Sequence, residues 1–296
     1  MFVVAKPSFP QRVRFKIASF FSKIAKRVGY HQTQLVVCGY PRGGTSLLYN
    51  MLSATLQHKF KFTSFEKYYI RLIHKLGNIA SKAPLDVNHL SHIDELNINN
   101  KKLAIIIAIR DIRDVVTSKH PIYHDEYFIG YDHSFWPKDN AFKKWGYEGS
   151  GVIEITEKIK QVLSRDDVIL IKYEDLVENP DAIQETLRTR FDLPFEGKFS
   201  NYHKFKGELA YKYEGKYKAN DESLVLEGKA VVNRQARWKS EKFDSRITSQ
   251  FTACPALFDI LEEFGYETNR DWFEPYKPRR NDELQKKARQ EGGSID

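Results

Sequence analysis

Two kinds of hydrophobic pattern alternate along this chain: short apolar runs, and longer stretches with apolar residues at helical spacing. Residues 103–109 are apolar without interruption, as expected of a central parallel strand that is covered on both faces. The pattern predicts strands at 34–39, 60–65, 103–109 and 168–173, and helices at 45–57, 66–79, 89–97, 111–120, 151–164, 180–190, 244–251 and 255–264. Strands that alternate with helices predict an α/β fold built on a doubly wound parallel sheet.

The segments between these elements set the domain organisation. No internal repeat or linker interrupts the pattern, so we expect one domain over residues 31–276, preceded by a basic amphipathic segment (1–30) and followed by a polar tail (277–296). The connection 121–150 is long for a plain loop, and its aromatic residues either wall a ligand pocket or form a satellite core. These aromatics are Tyr123, Tyr127, Phe128, Tyr131, Phe135, Trp136 and Trp145.

The stretch Gly39–Ser46 reads Gly-Tyr-Pro-Arg-Gly-Gly-Thr-Ser and joins the first predicted strand to the first helix. Glycines let backbone N–H groups turn toward a phosphate, and the helix N-terminus adds the positive end of its dipole. The spacing mimics the nucleoside-triphosphatase loop, but the lysine expected after the second glycine is absent and Arg42 lies earlier. This segment therefore predicts a nucleotide-phosphate site without the usual magnesium and γ-phosphate arrangement.

A second candidate site begins at Arg110, which directly follows the apolar run 103–109. Open α/β sheets bind ligands at the carboxyl ends of their strands, so Arg110 is predicted at a binding edge. Ser118 comes eight residues later, about two helical turns on. A guanidinium and a hydroxyl that converge on one anion suit a phosphate monoester. The neighbouring Asp111 and Asp114 are expected to form a capping network at the helix start.

Together these segments resemble the sulfotransferases that use 3′-phosphoadenosine 5′-phosphosulfate (PAPS), and they are closer to the glycan and tyrosylprotein type than to the cytosolic small-molecule type. The loop at 39–46 and the segment 110–118 match two family motifs, with Gly43 and Ile112 where serine and proline are common. Residues 170–180 match a third motif and residues 233–239 a weaker fourth, so the resemblance spans about 35–266. It implies a P-loop-like sulfotransferase fold, PAPS as co-substrate, and 3′-phosphoadenosine 5′-phosphate (PAP) as product.

The resemblance also assigns roles to individual residues. It implies in-line transfer of a sulfonate to an acceptor hydroxyl or amine, with Arg42 stabilising charge on the bridging oxygen. Arg110 and Ser118 would hold the 3′-phosphate, and Tyr173 would meet the adenine or belong to the core. The remaining cofactor residues are Gly43, Gly44, Thr45 and Ser46 in the loop, and Arg234, Arg237, Trp238 and Lys239 in the segment that closes over the nucleotide.

Two residues are candidates for the general base. Glu66 is predicted to close the strand 60–65, and glycan and tyrosylprotein relatives place a catalytic glutamate after the corresponding helix. Alternatively, Glu66 simply starts the helix 66–79. His89 is the competitor, because cytosolic relatives use a histidine. His89 and His92 lie one helical turn apart, but without a further ligand we expect no metal. Lys82, predicted on a loop before Pro84, resembles a family lysine that reaches the sulfonate.

The composition of the chain limits the classes of molecule that it is expected to bind. The 296-residue chain has a net charge of +8 and a pI near 9.2, which favours anionic partners. Neither zinc-finger spacing nor a basic-aromatic RNA signature occurs, so nucleic acid is not expected. The basic charge and the aromatic connection suit a carbohydrate or glycolipid acceptor that carries a free hydroxyl.

Cellular location is predicted from cysteines and hydropathy. Two cysteines give no disulfide framework, which favours a reducing, cytoplasmic compartment. We expect no signal peptide, and no transmembrane helix because no apolar stretch is long enough for one. The helical spacing within residues 13–28 predicts a helix that either packs on the domain or makes peripheral contact with an anionic membrane.

Two alternatives come from other functional classes. A P-loop kinase would need a lysine after Gly44 and an acidic magnesium ligand ending a strand, but Thr45 and Arg110 occupy those places. A catalytically inactive PAPS-fold binding protein would keep the loop and lose the base and the phosphate clamp. Since Arg42, Arg110 and Ser118 are all present, an active enzyme is the favoured reading.

Overall fold

Five parallel strands form the sheet on which the rest of the described chain is built. The computed structural model describes residues 32–64, 66–119, 126–134, 149–205 and 235–276. The strands are β1 (Thr33–Gly39), β2 (Lys61–Phe62), β3 (Ile79–Lys82), β4 (Lys102–Ile109) and β5 (Val168–Lys172). Their order is β2-β3-β1-β4-β5, and every neighbouring pair is parallel. This arrangement confirms the predicted doubly wound α/β fold.

Helices flank this sheet on both sides. The α-helices are α1 (Thr45–Leu56), α2 (Ile93–Leu96), α3 (Ile112–Val116), α4 (Val152–Lys160), α5 (Tyr173–Glu178), α6 (Pro180–Phe191), α7 (Asp244–Ala253) and α8 (Ala256–Glu263). The 3₁₀ helices are Tyr69–Arg71, Pro84–His92, Phe199–Lys204, Arg237–Lys239, Glu241–Phe243 and Asp271–Tyr276. Several of these helices are shorter than the sequence predicts, because the predicted ranges included turn residues at their ends.

Alternate residues of the central strands enter two separate hydrophobic clusters. In β4, Ile105 and Ile107 join the cluster that includes α4, α7 and α8. Ala104 and Ile106 join the opposite cluster, which includes α1, α5 and α6. Since successive side chains of a strand point to opposite faces, a strand that is apolar throughout must be covered on both faces. The uninterrupted apolar run therefore predicted the central position of β4 correctly.

The region between β2 and β3 differs most from the prediction. The predicted helix 66–79 is wrong: only the short 3₁₀ helix Tyr69–Arg71 forms there, and β3 begins at Ile79. The strand β3 lies between β1 and β2, and each of its four residues is buried. It was missed because only two of its residues are apolar, and a polar strand is recognisable only once its partners are known. Its Ser81 hydroxyl lies 3.3 Å from Gln34 Nε2, which places a polar pair inside the sheet.

Several predicted segments lie outside the described residues. These are the N-terminal segment 1–30, the tail 277–296, Arg234, and four aromatics of the 121–150 connection, namely Tyr123, Phe135, Trp136 and Trp145. The division into these domains and the peripheral membrane contact therefore stay predictions. Within the described residues, the structure contains no helix with the length and apolarity needed to cross a membrane.

Gly39 ends β1 directly beside Ala108 of β4, and this position gives a test of the fold. Its φ is +128°, and a Cβ built on it would lie 2.1 Å from the carbonyl oxygen of Ala108. Because that neighbour is strand backbone and cannot move aside, we expect Gly39→Ala to lower the free energy of unfolding by at least about 3 kcal/mol. Urea unfolding followed by circular dichroism measures this loss.

The matched control for this test is Gly77→Ala. Gly77 also has a positive φ, +90°, but a Cβ there would meet nothing within 4 Å. The Gly77→Ala variant measures only the cost of a Cβ on a left-handed backbone, which is about 1–2 kcal/mol of the free energy of unfolding. Equal losses in the two variants would show that the contact with Ala108 contributes nothing.

Candidate active site

The predicted nucleotide residues that the structure describes meet at the carboxyl edge of the sheet. Gly39 pairs in register with Ala108, and Ile109 pairs with Lys172. The loop after β1, Arg110 after β4 and Tyr173 after β5 therefore leave the sheet at nearly the same level. The chain proceeds from β1 to β2 and β3 on one side and to β4 on the other, so the loop lies at a topological switch point. Open α/β sheets bind their ligands there.

The loop from Gly39 to Gly44 has the backbone shape of an anion cradle. Gly44 has a φ of +91° and precedes α1, and no side chain of the described residues caps this helix. The first turn of α1 contains no acidic residue. The N–H groups at a helix N-terminus attract an anion, and here neither a cap nor a carboxylate competes for them. The geometry thus fits a phosphate at Gly43, Gly44, Thr45 and Ser46.

Arg42 occupies an unusual backbone conformation within the same loop. Its φ is +66°, although an arginine has a Cβ that disfavours this region. Such strain persists where the surrounding structure holds the residue in place, and it is common at functional sites. The strained backbone is an observation independent of the motif, and it supports a role for the Arg42 side chain.

Tyr173 closes one side of the loop. A Cβ at Gly44 would lie 2.6 Å from Tyr173 Cδ2, so only glycine allows the ring to pack this closely on the loop. The guanidinium carbon of Arg110 lies 4.4 Å from the centre of the same ring. This distance is typical of a cation–π contact. Tyr173 therefore joins the loop to the Arg110 site, although it is the first residue of α5 and not the last of β5.

Arg110 and Ser118 are brought together through Asp114. Arg110 Nη2 donates to Asp114 Oδ2 at 2.9 Å, and the Ser118 hydroxyl donates to the Asp114 backbone carbonyl at 2.7 Å. Ser118 lies two residues beyond the end of α3, so its predicted place in a helix is wrong. Burial raises the pKa of Asp114, although the nearby Arg110 charge opposes the shift. Ser118 must rotate its hydroxyl to donate to a phosphate.

The late segment Arg237–Lys239 docks on this centre through its backbone. The Trp238 N–H donates to Asp114 Oδ1 at 3.0 Å, and the Trp238 ring is buried. Arg237 and Lys239 are exposed on either side of it. The backbone of this segment is thus fixed beside Arg110, while the Trp238 ring belongs to the core.

Arg113 forms a second network that the sequence did not reveal. Its guanidinium carbon lies 4.0 Å from the Trp238 ring centre and 4.6 Å from that of Trp272. It is paired with Asp111, and also with Glu267 far along the chain. Burial lowers the pKa of Arg113, but hydrogen bonds and charge from Asp111 and Glu267 outweigh it and raise the pKa overall. Asp111 also caps α3, as predicted, by accepting from the Arg113 backbone N–H at 2.9 Å.

Lys82 and Glu66 form an ion pair at the same edge of the sheet. Lys82 Nζ lies 2.5 Å from Glu66 Oε1, with the lysine side chain 2% exposed and the carboxylate half exposed. Lys82 ends β3 and pairs in register with Val37, so its predicted place on a loop is wrong. Strand β2 ends at Phe62, so Glu66 neither closes it nor starts a helix. The pair lies on the β3 and β2 side of β1, and Arg110 lies on the opposite, β4 side.

His89 lies near the end of the 3₁₀ helix Pro84–His92. Its ring centre is 5.7 Å from that of Tyr68, in an edge-to-face arrangement. Burial, and then the neighbouring His92, lower the pKa of His89, so its imidazole is neutral at pH 7. A neutral imidazole is able to accept a proton, and His89 therefore remains a candidate base. Within the described part of the chain, no three His, Cys, Asp or Glu side chains form a group that would hold a metal ion.

An α/β fold with a glycine-rich loop and a buried arginine at the switch point is typical of proteins that bind nucleotide phosphates. Within this class, the sulfotransferase domain family matches residues 32–196, more than half of the chain. The chain belongs to this family and is a PAPS-dependent sulfotransferase. This confirms the family, the enzyme class and the co-substrate implied by the sequence.

Comparison with known structures gives a distant likeness. The mouse sulfotransferase SULT7A1, complexed with PAP, is similar at 13% identity and a TM-score of 0.41. The match covers 74% of this chain and 83% of that chain. No significant match was found among curated protein sequences.

Proposed function

We propose that this enzyme transfers the sulfonate of PAPS to a hydroxyl of a carbohydrate or glycolipid acceptor, with the nucleotide held along the carboxyl edge of the sheet. The loop 39–46 holds the 5′-phosphosulfate, and Arg110 with Ser118 holds the 3′-phosphate. The observation that carries this assignment is the packing of Tyr173 against both Gly44 and Arg110. One ring lies between the two anion sites, and a bisphosphorylated nucleoside presents two anions on one ribose, which also carries an aromatic base.

The residues fit the anionic co-substrate electrostatically. A phosphate monoester is bound best by a guanidinium, because its planar N–H groups match the phosphate oxygens. Asp114 and the Tyr173 ring both contact the Arg110 guanidinium, so its orientation is set before ligand binds. Arg237 and Lys239 add exposed positive charge beside the same site. When bound, PAPS supplies the activated sulfonate.

We assign the chemistry to the groups around the loop. Arg42 stabilises the negative charge that grows on the bridging oxygen as the S–O bond breaks, together with the N–H groups at the start of α1. Lys82 approaches the sulfonate from the end of β3. Glu66 takes the proton of the acceptor hydroxyl, and its half-exposed carboxylate is accessible to an acceptor. His89 is the second candidate for this step.

The acceptor assignment rests on charge and on the chemistry of the base. The chain carries a net charge of +8, which favours acceptors with anionic groups, such as acidic glycans and glycolipids. Tyr127 lies near Ser118, since Phe128 N–H donates to the Ser118 carbonyl at 2.8 Å. The Tyr127 ring has Lys119 Nζ at 3.8 Å and the Arg246 guanidinium carbon at 4.5 Å from its centre, and this positive charge near Ser118 suits an anionic acceptor. A carboxylate base is also the choice of the glycan relatives that the sequence resembles.

Calorimetry with PAP tests the nucleotide assignment. We expect micromolar binding of PAP to the wild type that does not depend on magnesium, and little or no binding of ATP with magnesium. Arg110→Ala is expected to weaken PAP binding about 100-fold or more, because a buried charge-assisted phosphate contact is lost. Magnesium-dependent ATP binding, or PAP binding that survives in Arg110→Ala, would contradict the assignment.

Turnover tests the acceptor. A panel of neutral glycans, acidic glycans, glycolipids, phenols and tyrosine peptides is incubated with radiolabelled PAPS, and transfer of label is measured. Sulfation of the glycans or glycolipids alone supports the proposal. Preferential labelling of phenols or peptides would contradict the acceptor class while leaving the nucleotide site intact. PAP binding without transfer to any acceptor would favour an inactive binding protein.

A further inference from the structure

Asp114 contacts three separate parts of the nucleotide site, yet neither the motifs nor the proposed chemistry gives it a role there. Its carboxylate holds Arg110 through Oδ2, at 2.9 Å, and the Trp238 backbone N–H through Oδ1, at 3.0 Å. Its backbone carbonyl accepts the Ser118 hydroxyl. The side chain is 1% exposed. A capping carboxylate on a solvated helix start would not be buried in this way.

We propose that Asp114 is a positioning residue for the 3′-phosphate: it aims the Arg110 guanidinium and fixes the late segment Arg237–Lys239 beside it. This inference rests on the proposed nucleotide site. One carboxylate joins a residue of β4's carboxyl end to a segment more than a hundred residues later in the chain. The positions of Arg110, Arg237 and Lys239 relative to one another therefore depend on Asp114.

Geometry explains why the arginine needs such a partner. Arginine has several rotatable side-chain bonds, and holding them in one arrangement costs conformational entropy when a ligand binds. The Tyr173 ring restrains the guanidinium from its face, and Asp114 restrains it within its plane. With both contacts in place, the Arg110 side chain has already lost its conformational entropy in the folded protein. The phosphate therefore binds a preformed site.

Removal of the Asp114 charge has opposite expected effects on PAP affinity, depending on whether Asp114 acts by its charge alone or by positioning Arg110. A negative charge so close to a phosphate site repels the ligand, so its removal would strengthen binding if charge alone mattered. If Asp114 acts by positioning, its removal weakens binding. The sign of the change in PAP affinity in Asp114→Asn therefore separates the two accounts.

The experiment compares two nucleotides in calorimetry: PAP, and adenosine 5′-phosphosulfate, which lacks the 3′-phosphate. Asparagine keeps an oxygen for the Trp238 N–H but cannot replace the charged bond to Arg110. We expect Asp114→Asn to weaken PAP binding about 10- to 100-fold. We expect adenosine 5′-phosphosulfate binding to change less than about twofold, because that ligand does not reach Arg110. In steady-state kinetics, KM for PAPS rises while kcat at saturating PAPS is maintained.

Controls keep the test decisive. Asp175→Asn makes the same chemical change at an exposed residue of α5 and is expected to leave both affinities unchanged. Asp114→Glu, which keeps the charge but displaces the carboxylate by one methylene, is expected to show the same selective loss; it carries the test if Asp114→Asn does not fold. Tighter or unchanged PAP binding would overturn the proposal, and so would an equal loss for both nucleotides. Failure of the wild type to bind PAP would instead contradict the proposed nucleotide site.

Discussion

Replacing Glu66 with glutamine is expected to lower kcat for sulfonate transfer by about 10²–10⁴-fold and to leave PAP affinity unchanged. Glutamine cannot take a proton from the acceptor hydroxyl, so the nucleophile must attack without general-base help. Its side-chain oxygen is still able to accept from Lys82 Nζ, so the loss of folding stability should stay near 1 kcal/mol. Initial rates with labelled PAPS and the acceptor identified by the panel measure the effect, and PAP calorimetry verifies the nucleotide site.

The matched variant is His89→Gln, which removes the competing base. If Glu66 is the base, this change lowers kcat by less than about tenfold, since His89 then packs against Tyr68 and takes no part in proton transfer. A large loss in His89→Gln with near-normal turnover in Glu66→Gln would reverse the assignment. Large losses of kcat in both variants would indicate that Glu66 and His89 act in one proton relay, which would contradict the assignment of Glu66 as the sole base.

The pH profile gives an independent discrimination. The pKa of His89 is lowered by burial and then by His92, so a histidine base would lose activity only below about pH 6.5, its ordinary range. With a histidine base, this loss of activity at low pH would be absent in His89→Gln and present in Glu66→Gln. We expect instead that His89→Gln keeps the pH profile of the wild type.

Local motifs explain why the positions of the loop 39–46 and of Arg110 in the fold were predictable from the sequence. The loop 39–46 and Arg110 each lie directly after an apolar run, and the chain's own order places such residues at one edge of a parallel sheet. The core position of β4 also followed from its composition alone. These features depend on residues within a few positions of one another, so they can be recognised without knowing the fold.

Features that depend on distant partners were not predictable. Lys82 was placed on a loop because nothing in Ile79–Lys82 resembles a core strand; its burial is created by β1 and β2 on either side. The Arg113 contacts with Glu267 and Trp272 join residues more than 150 positions apart. Asp114 has the sequence position of an ordinary helix-start acid, and its burial and its bond to the distant Trp238 distinguish it. Such contacts arise when the chain folds and leave no local signature.

Arg42→Gly is expected to affect activity and stability in opposite directions. Loss of the guanidinium removes charge stabilisation at the bridging oxygen, so kcat/KM for PAPS should fall about 10²–10³-fold. The φ of +66° suits glycine better than arginine, so the free energy of unfolding should stay constant or rise by up to about 1 kcal/mol. Urea unfolding and steady-state kinetics on the same preparation measure the two effects.

Asp192→Gly provides the control for the backbone contribution. Asp192 follows α6 with a φ of 54°, a left-handed helix end at which glycine is preferred, and it plays no part in the proposed chemistry. It should gain comparable stability and keep wild-type kinetics. If Arg42→Gly lost stability and activity together, Arg42 would be a structural residue whose removal distorts the loop. If Arg42→Gly lost neither stability nor activity, Lys82 and the α1 N–H groups alone would have to stabilise the charge on the bridging oxygen. The predicted divergence of stability from activity instead assigns the strained backbone at Arg42 to catalysis, because selection retains a destabilising conformation where it places a needed charge.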